Sequence, residues 1–444
     1  MTKDLTVGSP AKVLCMFSIP MVISVIFQQL YNLADSMIAG RFAGEDALAA
    51  VGASYPITMI FMAVAVGCNI GCAVVISQLF GAREYREVKE AASTTILASL
   101  VLSVVLTILG LALTVPLMKL IQTPDNIFAD GALYLRIYIA GLVFLFLYNI
   151  CNGIFTSLGD SKTPLYFLIG SSVGNIGLDY LFVAGFGWGV AGVAWATFIA
   201  QGVACILALV TLLVRIRKIP SEGKAPLFSW EMLRRVSLIA VPSILQQSFI
   251  SVGNIFIQGL VNSFGSSVIA GYSAAIKLNT FSVTAFSSLS NSLSSFAAQN
   301  LGAGKEDRVR SGLRAGTLIS LITAGIFFLL LTLFSSAMIS LFMEEGSRQA
   351  LDTGVTFLRI VAPFYLVISI KLAIDGVLRG AGAMKCFMIS TFTDLILRVV
   401  LAFILAIPFG VTGVWLSWPV GWLASTGISI FFYRRGYWRL QPGR

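Results

Sequence analysis

The chain contains no histidine, and only 11% of its 444 residues are charged. The first absence removes histidine-based catalytic triads, histidine-ligated metals and imidazole proton relays together. The second sets the solvent, because a soluble domain carries roughly a quarter of its residues as charges. What fills the chain instead is apolar: 57% hydrophobic residues, with a mean hydropathy of +0.90. Six cysteines (15, 68, 72, 151, 205, 386) all fall in apolar stretches. Cys68 and Cys72 lie one helical turn apart without second ligands, which reads as packing thiols and not as a metal site. The N-terminus lacks the short apolar block and small-residue cleavage site of a secretory leader, so no cleavable signal is expected.

Segments of about 20 or more mainly apolar residues, long enough to cross a bilayer, fall at 13–39, 47–78, 91–118, 132–158, 164–186 and 190–214. They recur at 234–261, 267–299, 312–342, 353–378, 386–408 and 411–433, giving twelve spans, six per half. The halves are degenerate copies. Gln78-Leu-Phe-Gly81-Ala82 matches Gln299-Asn-Leu-Gly302-Ala303 at an offset of 221, Asn32 matches Asn254 at 222, and Gly153 to Lys162 matches Gly376 to Lys385 at 223. A period this long excludes solenoid arrays and points to a duplicated membrane bundle. The fold class expected is therefore all-α integral membrane: two homologous six-helix lobes related by a pseudo-two-fold along the membrane normal. Residues 1–214 form the N-terminal lobe, 215–233 a cytoplasmic linker and 234–444 the C-terminal lobe. Pro20, Pro56 and Pro242 stand inside long spans, where a missing N–H lets a helix bend.

Of the 30 basic residues, 22 lie at the termini and in the loops on one side, including Arg83, Arg86, Lys89, Arg215, Arg217, Lys218, Arg234, Arg235, Lys305, Arg308 and Arg434. Lys and Arg resist transfer across the membrane, which places both termini in the cytoplasm. The net charge of +10 is thus a topology signal. No basic run with interleaved aromatics suggests nucleic acid.

Two enzyme-like patterns occur. Gly170-Ser-Ser172-Val-Gly174 fits the nucleophile elbow, but no general base exists and no strand precedes it. Gly187-Trp-Gly189-Val-Ala-Gly192 fits the dinucleotide fingerprint, which needs a preceding strand. Its partial repetition at Gly410 to Gly413 marks a duplicated tight turn between membrane helices. An intramembrane enzyme is disfavoured accordingly, and no cofactor is expected.

Four acids lie within spans, and each is expensive there unless paired or hydrated. Asp375 has Lys371 and Arg379 one turn away, and Asp394 has Arg398 four residues on, so local ion pairing is expected for both. Asp35 and Asp179 have no Lys or Arg within a turn. Amides surround them in sequence: Asn32 before Asp35, Asn175 before Asp179, and Asn149 and Asn152 on the fourth span. An unpaired carboxylate in lipid must take up a proton, take a metal cation or face water. If Asp35 and Asp179 converge, one proton or one Na⁺ neutralises the pair.

Gln28-Gln-Leu-Tyr-Asn32-Leu-Ala-Asp35-Ser-Met-Ile-Ala-Gly40, the repeated Gln-x-x-Gly-Ala motifs, Leu158-Gly159-Asp160-Ser161-Lys162 and Asn175-Ile-Gly-Leu-Asp179 together resemble a multidrug and toxic compound extrusion (MATE) transporter over essentially the whole chain. The resemblance implies a cation-responsive site in the N-terminal lobe, carried here by Asp35, Asn175, Asp179 and Thr197, the same four being the donors for a Na⁺. The Val193 carbonyl, Gln28, Tyr134 and Asn149 are looser lining candidates. The sodium-coupled NorM-like branch places a Glu and an Asp in the C-terminal lobe at positions that fall here on Ile250 and near Ile368. That departure is similar instead to a bacterial DinF- or MepA-like member. Lys371, Asp375, Asp394 and Arg398 remain secondary candidates in the C-terminal lobe. What the resemblance implies is a monomeric antiporter in the bacterial cytoplasmic membrane, surrounded by lipid. It would export amphiphilic drugs or small organic cations by alternating access while H⁺ or Na⁺ moves inward. The alternative in the same superfamily is a lipid-linked oligosaccharide flippase, whose basic cavity Lys277, Arg359, Lys371 and Arg398 would line.

Overall fold

The computed structural model describes residues 4–439 apart from 222, 224 and 343–347, and no strand occurs among them. The described residues form fifteen α-helices: α1 (Pro10–Ile38), α2 (Glu45–Gly81), α3 (Tyr85–Leu120), α4 (Asp125–Ala140), α5 (Leu142–Ser157), α6 (Lys162–Asp179), α7 (Gly189–Lys218), α8 (Trp230–Asn262), α9 (Ser266–Gly302), α10 (Glu306–Leu333), α11 (Ser335–Ser340), α12 (Arg348–Val361), α13 (Tyr365–Gly380), α14 (Met384–Phe409) and α15 (Val411–Arg434). Among the described residues nine helical segments are long and apolar enough to cross a bilayer, α12 and α13 counting as one, and a tenth span is the pair α4–α5, bent by 47°. The break is at Gly141.

The two remaining spans expected from the sequence are α9 and α15, which run for 37 and 24 residues and carry many serine and threonine hydroxyls. Their polarity is absorbed locally. On α9 the Ser282 hydroxyl donates to Leu278 O at 3.0 Å and Ser292 to Ser288 O at 3.1 Å, and on α15 Thr426 donates to Trp422 O at 2.6 Å. A serine-rich helix therefore costs little when buried among its neighbours.

The chain packs as two compact units, one of Met1–Asp4 with Ile23–Ile244 and the other of Leu5–Val22 with Leu245–Arg444. The division thus runs inside α1 and α8, away from the linker at 215–233. Packing explains the difference. In the first unit, an added Cβ on Gly67 or Gly71 of α2 would meet the Ile244 backbone N at 2.7 Å or the Ala240 backbone N at 2.8 Å, so two glycines one turn apart seat the start of α8 directly. In the second, Leu5, Leu14 and Phe17 are buried in one cluster with Leu293, Phe296, Leu301 and Val309. There Gln299 and Asn300, from the repeated motif, clamp the segment before α1. Leu5 N donates to Gln299 Oε1 at 2.9 Å, Asn300 Nδ2 donates to Leu5 O at 3.2 Å, and Arg308 Nη1 donates to Gly8 O at 2.6 Å.

The duplicated turn is present in both halves. Gly189 (φ 54°) and Gly410 (φ 58°) adopt left-handed conformations at the starts of α7 and α15. No strand precedes either, and of these glycines only Gly192 and Gly413 are closely packed, against Phe182 and Val183 and against Leu405.

Candidate functional site

Two helices of the first unit change their winding where the lone acids stand. A π-helical turn at Ala39–Ala43 follows α1, four residues after Asp35, and another at Tyr180–Gly185 begins immediately after Asp179. Such turns insert an extra residue into the helical register and frequently mark functional positions. The two turns meet through Phe42 and Tyr180, whose rings are 5.8 Å apart and edge-on.

This geometry brings Asp35 and Asp179 together. Their carboxyl groups lie within hydrogen-bonding reach of one another. Asp179 is buried and Asp35 half-buried, and one oxygen of each, Oδ1, has no hydrogen-bond partner among the protein's groups. The Asn175 amide, one turn before Asp179 on α6, donates to Asp179 Oδ2. Across from them on α7, the Thr197 hydroxyl donates to the Val193 carbonyl at 3.1 Å, with the Tyr31 hydroxyl beside it. Tyr31 stands one turn before Asp35, within electrostatic range of Asp35, Asp179 and Tyr134. Tyr134 stacks on Tyr138 at 6.4 Å, and the two line a small pocket with Thr197, Phe198 and Gln201. Its volume of about 10 Å³ is room for one water.

The residues singled out from sequence therefore divide. Asp35, Asn175, Asp179, Thr197, Tyr134 and the Val193 carbonyl are gathered in one place. Gln28 is exposed, and Asn149 donates its amide to Leu145 O at 2.9 Å on its own helix, so neither is hydrogen-bonded to the acid pair. Asn32 likewise turns toward Gln29 Oε1, at 3.3 Å. Tyr31 was not among the expected lining residues, although its place one turn from Asp35 was the available signal.

The Asp160 motif has a structural role beside this site. Asp160 Oδ1 accepts from the backbone N–H groups of Lys162 (3.1 Å) and Thr163 (3.0 Å), capping α6, while Oδ2 accepts from Thr163 Oγ1 at 2.6 Å and from Arg215. Burial pushes this carboxyl up, but the hydrogen bonds from Thr163 and Arg215 and the Arg215 charge outweigh it and hold the group below the usual carboxylate range.

In the second unit, Lys371 and Asp375 form the expected ion pair at 2.7 Å, fully buried, and Ser429 donates to the other Asp375 oxygen at 2.6 Å. Arg379 instead donates to Asn291 Oδ1 at 2.7 Å and lies over Phe387. The expected Asp394–Arg398 ion pair is not made. Arg398 stacks over the Trp418 ring at 4.3 Å from its centroid, and the attraction of a cation to the indole face wins over pairing along the helix. Ile250 and Ile368 are both apolar, Ile368 being buried in the core of the unit. All six cysteines are free, and no group of three or more His, Cys, Asp or Glu side chains among the described residues could hold a metal.

The MatE family model matches residues 20–181 and 242–404, once in each half. The chain belongs to the MatE family. This MatE protein is 30% identical to the "Probable multidrug resistance protein YoeA" of Bacillus subtilis (strain 168), over 96% of its own length and 93% of the relative's. It is 28% identical to the "Probable multidrug resistance protein YpnP" of the same organism, covering 98% and 97% of the two chains. Its fold matches a solved MATE structure in complex with MaL6 with a TM-score of 0.92 at 24% identity, covering 98% of this chain and 99% of that one. It is a multi-pass membrane transporter with twelve helices in two lobes.

Proposed function

We propose that the protein is a secondary active antiporter that exports amphiphilic or cationic organic compounds in exchange for H⁺ or Na⁺. The observation that carries this reading is the meeting of Asp35 and Asp179, two lone carboxyls in a bilayer-spanning unit, each with an oxygen that no protein group satisfies. Two like charges in contact within a poorly polarisable interior do not both stand uncompensated. One proton or one Na⁺ between them resolves the conflict, and an organic cation competes for the same negative charge. Asn175, Thr197 and the Val193 carbonyl supply the neutral oxygens that a hard cation prefers, with the Tyr31 hydroxyl beside Thr197. Loading the pair weakens its hold on a cationic substrate and favours release on the outer side. When the exported compound is uncharged, each inward positive charge contributes about 2.3 kcal/mol per 100 mV of membrane potential; in one-for-one exchange for a monovalent cation no net charge moves, and the concentration gradient of H⁺ or Na⁺ drives export. The names of the Bacillus relatives agree with drug export.

The distribution of basic residues supports an orientation with both termini in the cytoplasm of a bacterial cell and the chain in its plasma membrane, acting as a monomer. The test is reconstitution into proteoliposomes with dye efflux followed under separate pH and Na⁺ gradients. Asp35→Asn and Asp179→Asn should each abolish gradient-driven efflux while leaving the protein folded. Wild-type rates from both variants would sink the proposal, and the gradient that drives the parent protein names the ion.

A further inference from the structure

The second unit contains a row of buried polar atoms that the acid-pair reading leaves unused. Thr391 Oγ1, Asp394 Oδ1, Arg398 Nε, Trp415 Nε1 and Trp418 Nε1 have no hydrogen-bond partner among the protein's own groups. All five residues are buried, with at most 8% of any of them exposed. They form one stripe. Thr391, Asp394 and Arg398 recur on one face of α14, and Trp415 and Trp418 sit one turn apart on α15, to which α14 is packed along its length. Arg398 over Trp418 fixes one crossing point. Asp394 fixes the next, because a Cβ added to Gly421 would lie 2.6 Å from Asp394 Oδ1.

The stripe has two ends. On one side, Ser390 Oγ is 2.6 Å from Ser429 Oγ, and Ser429 donates to Asp375, itself paired with Lys371. On the other, Trp415 lines a pocket of about 410 Å³ together with Arg348, Asp352, Thr356 and Thr412, at the end of the unit that carries the α14–α15 turn. In the orientation inferred from the basic residues this end faces outward.

Asp394 and Arg398 stand one turn apart, where pairing would satisfy both, yet each is turned to a different neighbour. A buried polar group left without a partner costs about 1–3 kcal/mol, and more when charged. The five atoms specify what satisfies them: three N–H donors, one carboxylate acceptor and one hydroxyl. Water is the smallest species that accepts from the first group and donates to the second, and polar interiors of this kind hold it.

We propose that the second unit holds a chain of buried waters along α14 and α15, leading from the pocket at Trp415 past Arg398 and Trp418 to Asp394 and Thr391. The route is separate from the Asp35–Asp179 pair. The groups that face it are Arg398 on α14 and Tyr272 on α9, which stacks on Trp415 within electrostatic range of Arg398, with Arg348 and Asp352 at the mouth. Ser390 and Ser429 extend the polar line inward as far as Asp375.

Silver ion, a thiol reagent of about the size of water, reads hydration without reference to transport. In a variant whose six native cysteines are replaced, Thr391→Cys is compared in nanodiscs with Ile396→Cys, a position on the same helix that is 60% exposed on the outer surface of the unit. Silver should block the residue-391 thiol about tenfold faster, as expected of a hydrated site against one in lipid. Equal rates overturn the proposal.

Discussion

Around Thr197 two hydroxyls and a carbonyl settle into a single arrangement, because the Thr197 hydroxyl gives its proton to Val193 O and Tyr31 completes the set. Removing only the Tyr31 oxygen tests whether that arrangement holds the donors in place. Tyr31→Phe keeps the ring and deletes a hydroxyl whose polar contacts are worth about 1 kcal/mol. Gradient-driven efflux should fall roughly fivefold, while Tyr134→Phe, which breaks no hydrogen bond of this set, should have the smaller effect. Asp160 gives a second test at this scale. Its carboxyl is held below the ordinary range, so its stabilising contribution is present above the unfolded value of about 3.9 and is lost as pH falls through the lower folded one. Asp160→Asn should cost about 1–3 kcal/mol at pH 7 by weakening the contact to Arg215. The gap in Tm between parent and variant should close as the pH is brought below about 4. A gap that widened with acid would contradict the assignment. Residue identity made much of this legible: Asp35 and Asp179 stood out because nothing charged lay near them in sequence. Tyr31 did not, since a tyrosine in an apolar span is ordinary until the hydroxyl opposite it is known. Arg398 misled because helical spacing offers Asp394, whereas the Trp418 ring belongs to another helix.

Helix crossings carry the packing of each unit, and their signals are the small residues. Gly376 and Gly380 on α13 lie against α9, where an added Cβ would meet Ser290 O at 2.5 Å and Ser294 O at 2.4 Å. A backbone carbonyl cannot yield as a flexible side chain can, so Gly376→Val should force the crossing open at a cost of about 1–3 kcal/mol. Gly325 is the matched control, inside α10 with nothing within 4 Å of its missing Cβ. There Gly325→Ala should be neutral or raise stability by roughly 0.5–1 kcal/mol, by restricting the unfolded chain. Thermal melts followed by intrinsic fluorescence would show the opposite signs, and equal losses from both substitutions would refute the packing account. Hydropathy located the helices well but could not locate the π-helical turns. A single extra residue in the register changes no composition, and α1 and α6 read as uninterrupted apolar runs. The partition of α1 and α8 between units was hidden for a related reason. It depends on which neighbour each half-helix touches, and Gly67 and Gly71 reveal that only once Ile244 and Ala240 are seen against them.

For the whole molecule, duplication and charge asymmetry together decide how the chain sits in the bilayer. Each half contributes an even number of spans, so the halves enter the membrane in the same sense, and the proposed orientation puts the side that gathers the lysines and arginines in the cytoplasm. The consequence reaches both proposed sites, since the acid pair must see each side in turn while the pocket at Trp415 must open outward. Two exposed positions on opposite sides test it directly. Asn126, in the first turn of α4, is expected outside, and Glu84, between α2 and α3, inside. In intact cells a membrane-impermeant thiol reagent should label Asn126→Cys at once, and should reach Glu84→Cys only after permeabilisation. The reverse pattern would turn the molecule over and make the pocket at Trp415 face the cytoplasm, the wrong side for a water chain that opens outward.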